Sequence, residues 1–284
     1  MTTLARLATL ALHGLLATDA FAADENATCD KTQYDAFHKT PAACLREMST
    51  DRPDQTESPY TVDAGRFQIE IDLVSASFDD DGSTTTRTWN VLPVNAKLGL
   101  TSRVDFQLLV DTYVDTRTEN DASGVVADAS GFGDVTTRMK INVWGNDGGR
   151  TALAVMPFVK WPLPSSDIRN GKVESGVIVP FSVSLGEHWG MSAMTEVDWV
   201  VASGDGYDTV WVNSVSFARD LTVNLGMYAE LFTVRFPSAP WRGQADVGFT
   251  YAIGENAQLD WGCNFGITDS APDYNPFVGF SARF

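Results

Sequence analysis

From Arg66 onward, apolar and polar residues take turns along the chain. In RFQIEIDLVSASF, Phe67, Ile69, Ile71 and Leu73 fall on one face, and Gln68, Glu70 and Asp72 on the other. A period of two marks a β-strand whose faces meet different surroundings. The alternation returns in VDFQLLVDTYV, DVTTRMKINVW, MSAMTEVDWVV and AQLDWGCNFGI. Twelve segments of this kind are predicted, over residues 66–78, 86–99, 103–115, 134–145, 150–162, 172–186, 189–202, 209–219, 221–235, 242–253, 256–268 and 276–284. Each can cross a membrane at a tilt, which takes ~9–11 residues. A soluble sandwich or lectin would alternate too, but its strands are usually about 5–6 residues long.

The connections alternate as well. Tight turns (LTSR, GNDGG, GEHW, RDL, GENA) follow every second strand. Between them lie mostly longer polar loops: DDDGSTTT, TRTENDASGVVADASGFG, PLPSSDIRNG, SGDGYD, PSAPW and DSAPDYN. Short turns on one side and long loops on the other fit an outer-membrane barrel, with the turns in the periplasm. The fold class expected is all-β: a membrane-spanning antiparallel up-and-down barrel of about twelve strands. The last strand, PFVGFSARF, carries Val278, Phe280 and Ala282 on one face and ends on Phe284. Phe280 and Phe284 resemble the assembly signal read by the barrel assembly machinery. Tyr113, Trp144, Trp161, Trp189, Tyr207, Trp241 and Tyr274 fall near strand ends, where interfacial girdles form. Pro93, Pro157 and Pro180 interrupt strands and are candidates for bulges or kinks.

A membrane barrel turns its apolar face to lipid and its polar face inward. The lumen candidates are therefore Glu70, Asp72, Lys97, Asp105, Asp111, Arg138, Lys140, Lys160, Glu174, Glu196, Asp198, Glu230, Asp246 and Asp260. Many of these are expected to pair with one another as interior salt bridges.

The N-terminus reads as an exported leader. Arg6 precedes the apolar run Leu7 to Ala17, and Ala20-Phe21-Ala22 supplies a small-x-small pattern with cleavage between Ala22 and Ala23. The organisation expected is residues 1–22 as signal peptide, 23–65 as an N-terminal periplasmic segment, and 66–284 as the barrel. Export permits a disulfide. Cys29 and Cys44 flank one short segment and are paired here, which leaves Cys263 as a small hydrophobe in a strand. TPAACLREM is predicted as a short helix, with Thr40 as N-cap and Pro41 in its first position.

Charge narrows the function. The net charge of −17 excludes nucleic acid as a partner. The acidic excess also argues against a pore for acidic sugars or phosphate, which would want rings of Arg and Lys. Without any C-x-x-C pair, a c-type haem or zinc ribbon has no support, and no cofactor is expected. Of the three histidines, His13 is in the leader, His38 in the periplasmic segment and His188 in a predicted turn. No serine on the barrel wall has one beside it, so an esterase-like barrel is not expected.

One stretch before the first strand carries no periodicity: STDRPDQTESPY. Pro53 and Pro59 bracket Asp54, Thr56 and Glu57, with Asp51 and Arg52 just ahead. The prolines fix φ and prevent a helix. The charged groups are expected to bond to Lys or Arg on the lumen wall, as a latch or partial plug at the periplasmic mouth; a stiff charged linker is the plain alternative. Three carboxylates without a companion His or an Asp-x-Asp-x-Asp-Gly loop make a poor metal site.

Thr50 to Pro59 resembles the T-D-R-P-D-x-T-E-S-P box of outer-membrane transporters associated with the meta-cleavage pathway of phenol degradation. GFGD at Gly131 to Asp134, MPFVKWPLP at Met156 to Pro164 and the closing hairpin Leu259 to Phe284 resemble that family too. The resemblance spans roughly Ser49 to Phe284. It implies a β-barrel and passage of small hydrophobic or aromatic compounds, in contact with outer-membrane lipid and lipopolysaccharide. The alternatives that the residues leave open are a non-conducting structural or adhesin-like barrel and a cation-preferring porin.

Overall fold

The alternation is realised as a wall with its polar side inward. The computed structural model describes residues 29–162, 171–202, 204 and 206–284. The cleavage site at Ala22 and Ala23 and most of the PLPSSDIRNG loop lie outside the described residues. Among the described residues, fifteen strands form one sheet: β1 Phe67–Asp80, β2 Thr84–Val91, β3 Val94–Thr101, β4 Val104–Val110, β5 Tyr113–Asn120, β6 Val126–Gly131, β7 Val135–Trp144, β8 Thr151–Trp161, β9 Glu174–Ser184, β10 Trp189–Val201, β11 Tyr207–Asp220, β12 Leu225–Arg235, β13 Arg242–Ala252, β14 Ala257–Gly266 and β15 Tyr274–Arg283. All pairings are antiparallel. The pairing of β15 with β1 closes the sheet into a barrel of twelve strands: β1, β3, β4 and β7 to β15. Phe67 and Phe284 exchange backbone hydrogen bonds at the seam (3.3 and 2.7 Å).

The remaining three strands correct the predicted boundaries. Two predicted crossings break in two, 86–99 at Leu92–Pro93 and 103–115 at Asp111–Thr112, while the predicted 134–145 crossing stays whole as β7 and β6 forms in the predicted loop ahead of it, across Phe132–Asp134. Leu92 sits at φ 56, a left-handed conformation costly for a branched side chain. The Thr112 hydroxyl donates to the carbonyls of Val91 (2.6 Å) and Leu92 (2.7 Å), so the break is held by bonds of its own. Beyond the breaks, β2, β5 and β6 continue as a three-strand extension of β1. Two expected loops, DDDGSTTT and TRTENDASGVVADASGFG, are therefore mostly hairpin. Their strands carry polar residues on both faces, including the pairs Thr86–Thr118 (3.4 Å) and Thr88–Thr116 (3.1 Å). A strand with water on both sides has no reason to alternate. Pro157 and Pro180, by contrast, lie in unbroken strands; the register shifts fall at Asp72/Val74, Gly99/Thr101 and Asn142/Trp144.

Burial is inverted relative to a soluble protein. On β4 and β7, Phe106, Leu108, Met139 and Ile141 are exposed, while Asp105, Gln107 and Lys140 are wholly buried between them. Tyr113, Trp144, Trp161, Trp189, Tyr207, Trp241 and Tyr274 all point outward. An apolar outer wall around a charged interior is the arrangement of a barrel solvated by lipid. This is a bacterial outer-membrane protein.

Of the described residues ahead of β1, 46–66 pack inside the barrel. Cys29 and Cys44 are disulfide-bonded, as expected. The predicted helix is a single 3₁₀ turn, Ala42–Cys44, and the Thr40 side chain does not cap it. Thr40 is instead buried as a backbone anchor: its N–H donates to Ala64 O (2.9 Å), and its carbonyl accepts from Arg66 Nε and Nη2 (2.9 and 2.7 Å). The returning limb runs against β3, where Ala64 bridges Gly99. A Cβ on Gly99 would collide with the Asp63 carbonyl, so close approach requires glycine here. We predict that Gly99→Val keeps the barrel closed, as judged by its folded band on a cold detergent gel, but makes residues 46–64 sensitive to added protease. Wild-type resistance in the variant would contradict the packing described.

Candidate functional site

Residues 46–66 form a loop that enters the lumen from the side of the short turns and returns to start β1. Three groups of contacts hold it. At the mouth, buried Asp63 faces Arg46 (3.0 Å), Arg283 (3.5 Å) and Lys31 (3.8 Å), and Arg46 also bonds Asp147 (2.8 Å) and the Ser102 carbonyl (2.6 Å). Deeper in, the Asp51 carboxylate lies between the ammonium groups of Lys97 and Lys140. Its backbone N–H donates to Glu70 (3.1 Å), which itself pairs with Lys97. Asp105 accepts from the Val62 N–H (3.0 Å) and from Gln107 (3.0 Å), and Asn142 donates to the Pro59 carbonyl (2.8 Å).

At the tip, Arg52 pairs with Asp72 and with Asp260 (2.7 Å) and lies over the Phe277 ring. Gly279 leaves room for its guanidinium; any Cβ there would strike it. Glu57 pairs with Arg138. Glu230 accepts from the Gln55 N–H (2.8 Å) and from the Thr56 hydroxyl, which also bonds Ser214 (2.6 Å). Loop contacts thus reach β1, β3, β4, β7, β11, β12, β14 and β15.

Each lumen candidate has a definite position. Glu70, Asp72, Lys97, Arg138, Lys140, Glu230 and Asp260 touch the loop directly. Asp105 touches its returning limb. Lys160 pairs with Glu174 (3.0 Å) and Asp134 (3.4 Å), away from it. Asp111 opens onto a lumen cavity. Glu196 and Asp198 adjoin one another on β10, and Asp246 is buried on β13. Of the box itself, Pro53 and Asp54 line a cavity and Pro59 is fully buried. Phe280 and Phe284 lie at the β1–β15 seam.

Two cavities flank the tip. One, of about 240 Å³, is polar and lies between the tip and β1, β3, β4 and β15. The other, of about 300 Å³, is apolar on its wall side: Phe158, Ile178, Met194, Val212 and Phe232 face Gln55, Glu57, Arg138 and Glu196. Met156, Ile178, Met194, Val210 and Val212 form a buried cluster inside the lumen, with Phe158, Phe232 and Val234 packed on it. Sequence reasoning assigned the lumen to polar residues and missed this strip. Its trace was legible in ALAVMPFV, GVIVPF and LFTVRF, where apolar residues fill both parities of the strand.

Electrostatics make the Asp51 site the tightest point. Burial alone would raise the Asp51 carboxyl, but the adjacent ammonium groups of Lys140 and Lys97 outweigh it and hold the group well below the usual carboxylate range. A depressed carboxyl contributes stability above its ordinary pKa, about 4, and loses it only as pH falls through the depressed value. The loop should therefore stay seated through mild acid. Asp51→Asn leaves two buried ammonium groups without their shared partner, and breaking such a pair costs about 3–5 kcal/mol. We expect the variant to release the loop at markedly lower urea concentration than wild type, followed by protease sensitivity of residues 46–64. Equal midpoints would contradict this assignment.

The closed barrel with a charged interior and an inserted N-terminal loop defines a class of outer-membrane β-barrel. The family model described as "Putative MetA-pathway of phenol degradation" matches residues 50–284, and the chain belongs to that family. Among solved structures it is similar to an outer membrane channel from Pseudomonas putida F1, at 14% identity and a TM-score of 0.60, over 83% of this chain and 100% of that one. That likeness is one of fold. Weaker matches include the NanC porin (8% identity, TM-score 0.48, 75% of this chain and 98% of that one). Another is the toluene transporter TbuX of Ralstonia pickettii (10%, TM-score 0.46, 77% and 89%). No curated protein matches the sequence.

Proposed function

We propose that this protein is a passive channel for small hydrophobic or aromatic compounds, with residues Asp51 to Pro59 acting as a latch that narrows the lumen. The apolar strip on the inner wall carries the reading. A barrel that passes ions or sugars gains nothing from Phe158, Ile178, Met194, Val212 and Phe232 facing its interior. An apolar solute gains the free energy of leaving water on that surface, about 25 cal/mol per Å² buried. Membership of a family described by phenol degradation supports the same class of passenger. The outer wall is solvated by lipid and, on the outer leaflet, by lipopolysaccharide, and Phe280 and Phe284 are read by the assembly machinery. The aligned breaks at Pro93, Thr112 and Gly133 give a kinked wall beside the polar cavity, suited to a sideways route for an apolar solute.

A non-conducting structural barrel is the second reading. It is favoured by the ion pairs that cross the lumen through Asp51, Arg52 and Glu57. Uptake separates the two. Proteoliposomes holding the channel should take up toluene faster than empty liposomes and show no gain for a sugar of similar size. Phe158→Asp with Phe232→Asp should abolish the gain while the folded gel band persists. No gain for toluene in the wild type would leave the structural reading standing.

A further inference from the structure

The tip of the loop is fastened asymmetrically. Towards β1, β7 and β14 its charges meet opposite charges: Arg52 meets Asp72 and Asp260, and Glu57 meets Arg138. Towards β12 and β13 they do not. Asp54 faces Glu230 on β12 and, beyond it, Asp246 on β13; Glu57 of the same loop adds a third negative neighbour. The other polar groups on that side are the hydroxyl of Ser216 on β11 and the phenol of Tyr228 on β12. Glu196 of β10 is the next acid, beyond Glu57. The nearest guanidinium groups, Arg52 and Arg138, are committed to the pairs just named.

Glu230 and Asp246 are almost wholly buried and stand directly opposite one another on β12 and β13, no donor from outside this carboxyl pair reaches an oxygen of Asp246, and the buried Tyr228 hydroxyl has no hydrogen-bond partner. Both oxygens of Glu230 accept from the tip, at the Gln55 N–H and the Thr56 hydroxyl. Carboxylates this close, out of water and without a cation, cannot all be charged.

We propose that Asp54, Glu230 and Asp246 form a proton-dependent catch, in which a proton held among them keeps the tip of the loop against β12 and β13 and its loss frees that side of the tip. Geometry favours the loop member as a carrier of that proton. Burial, and next the charge of Glu230, push the Asp54 carboxyl up to about 8. The seated tip holds its proton to about that pH, whereas a released tip gives it up near 4. Release therefore becomes easier as pH rises from about 4 to about 8, by about tenfold per pH unit, and levels off above. Asp51 stays ionised throughout, so the deeper anchor does not move with it.

The proposal rests on the loop being seated in the lumen but not on the protein conducting. Backbone hydrogen exchange of the full chain in lipid nanodiscs tests it, corrected for the intrinsic pH dependence of exchange. Protection of the Gln55 amide should fall about tenfold per pH unit between about pH 5 and 8 and then level off. Asp54→Asn should remove that slope and keep the amide protected. Asp246→Asn serves as the second variant should Asp54→Asn fail to fold, and should shrink the slope. A wild-type profile flat over this range would overturn the catch. So would an equal slope in wild type and both variants. If exchange behaves as expected while toluene uptake is absent, the catch stands and the channel reading falls.

Discussion

A carboxylate between two ammonium groups, deep inside a barrel, organises this molecule. Lys140 projects inward because the strand period that sends Met139 into lipid sends its neighbour into the lumen, and on β3 the same period turns Lys97 inward between Ala96 and Leu98. Two buried cations, on β3 and β7 with only β4 between them, are expensive unless an anion reaches them. Asp51 is that anion, and it comes from outside the barrel wall. The requirement of charge balance thus draws the N-terminal loop into the lumen. Once there, its remaining charges find Asp72, Asp260 and Arg138, and its backbone finds Glu70, Glu230 and Asn142. Prolines at both ends of the tip fix its path, and Gly99 and Gly279 remove the side chains that would obstruct it.

The same loop divides the interior into unlike halves. On one side of the tip the wall is polar and the cavity borders the broken strands β2/β3 and β4/β5. On the other side the wall is greasy from β8 to β12. A solute entering the barrel meets both at the level of the tip. The arrangement explains why the latch and the apolar strip belong to one account: the loop side of the apolar chamber is Gln55 and Glu57, so loop position sets the chamber's size.

Much of this was legible from residue order. Period-two alternation predicted the crossings, and parity alone selected inward positions such as Asp105, Lys140 and Asp260. The TDRPDQTESP box stood out because it lacked any period beside twelve segments that had one. Other features left no local trace. The split crossings depend on backbone conformation at Leu92 and on Thr112 reaching across to it, which no window of sequence encodes. The β5–β6 hairpin looked like a loop because a strand in water on both sides carries no hydrophobic contrast. Thr40 had the composition of a helix cap, yet tertiary contact with Ala64 and Arg66 claimed its backbone. The apolar inner wall was hidden by the rule that made the rest readable, since a lumen was assumed to be polar throughout.

The central claim is that the inserted loop holds the lumen narrow. Single-channel conductance in planar bilayers tests it most directly, comparing the intact protein with a double variant, Asp51→Ala and Arg52→Ala, that removes both anchoring charges. The account predicts little or no conductance for the intact protein and discrete, larger steps for the double variant. Conductance of equal size in both would show that the loop does not limit the lumen, and would contradict the account.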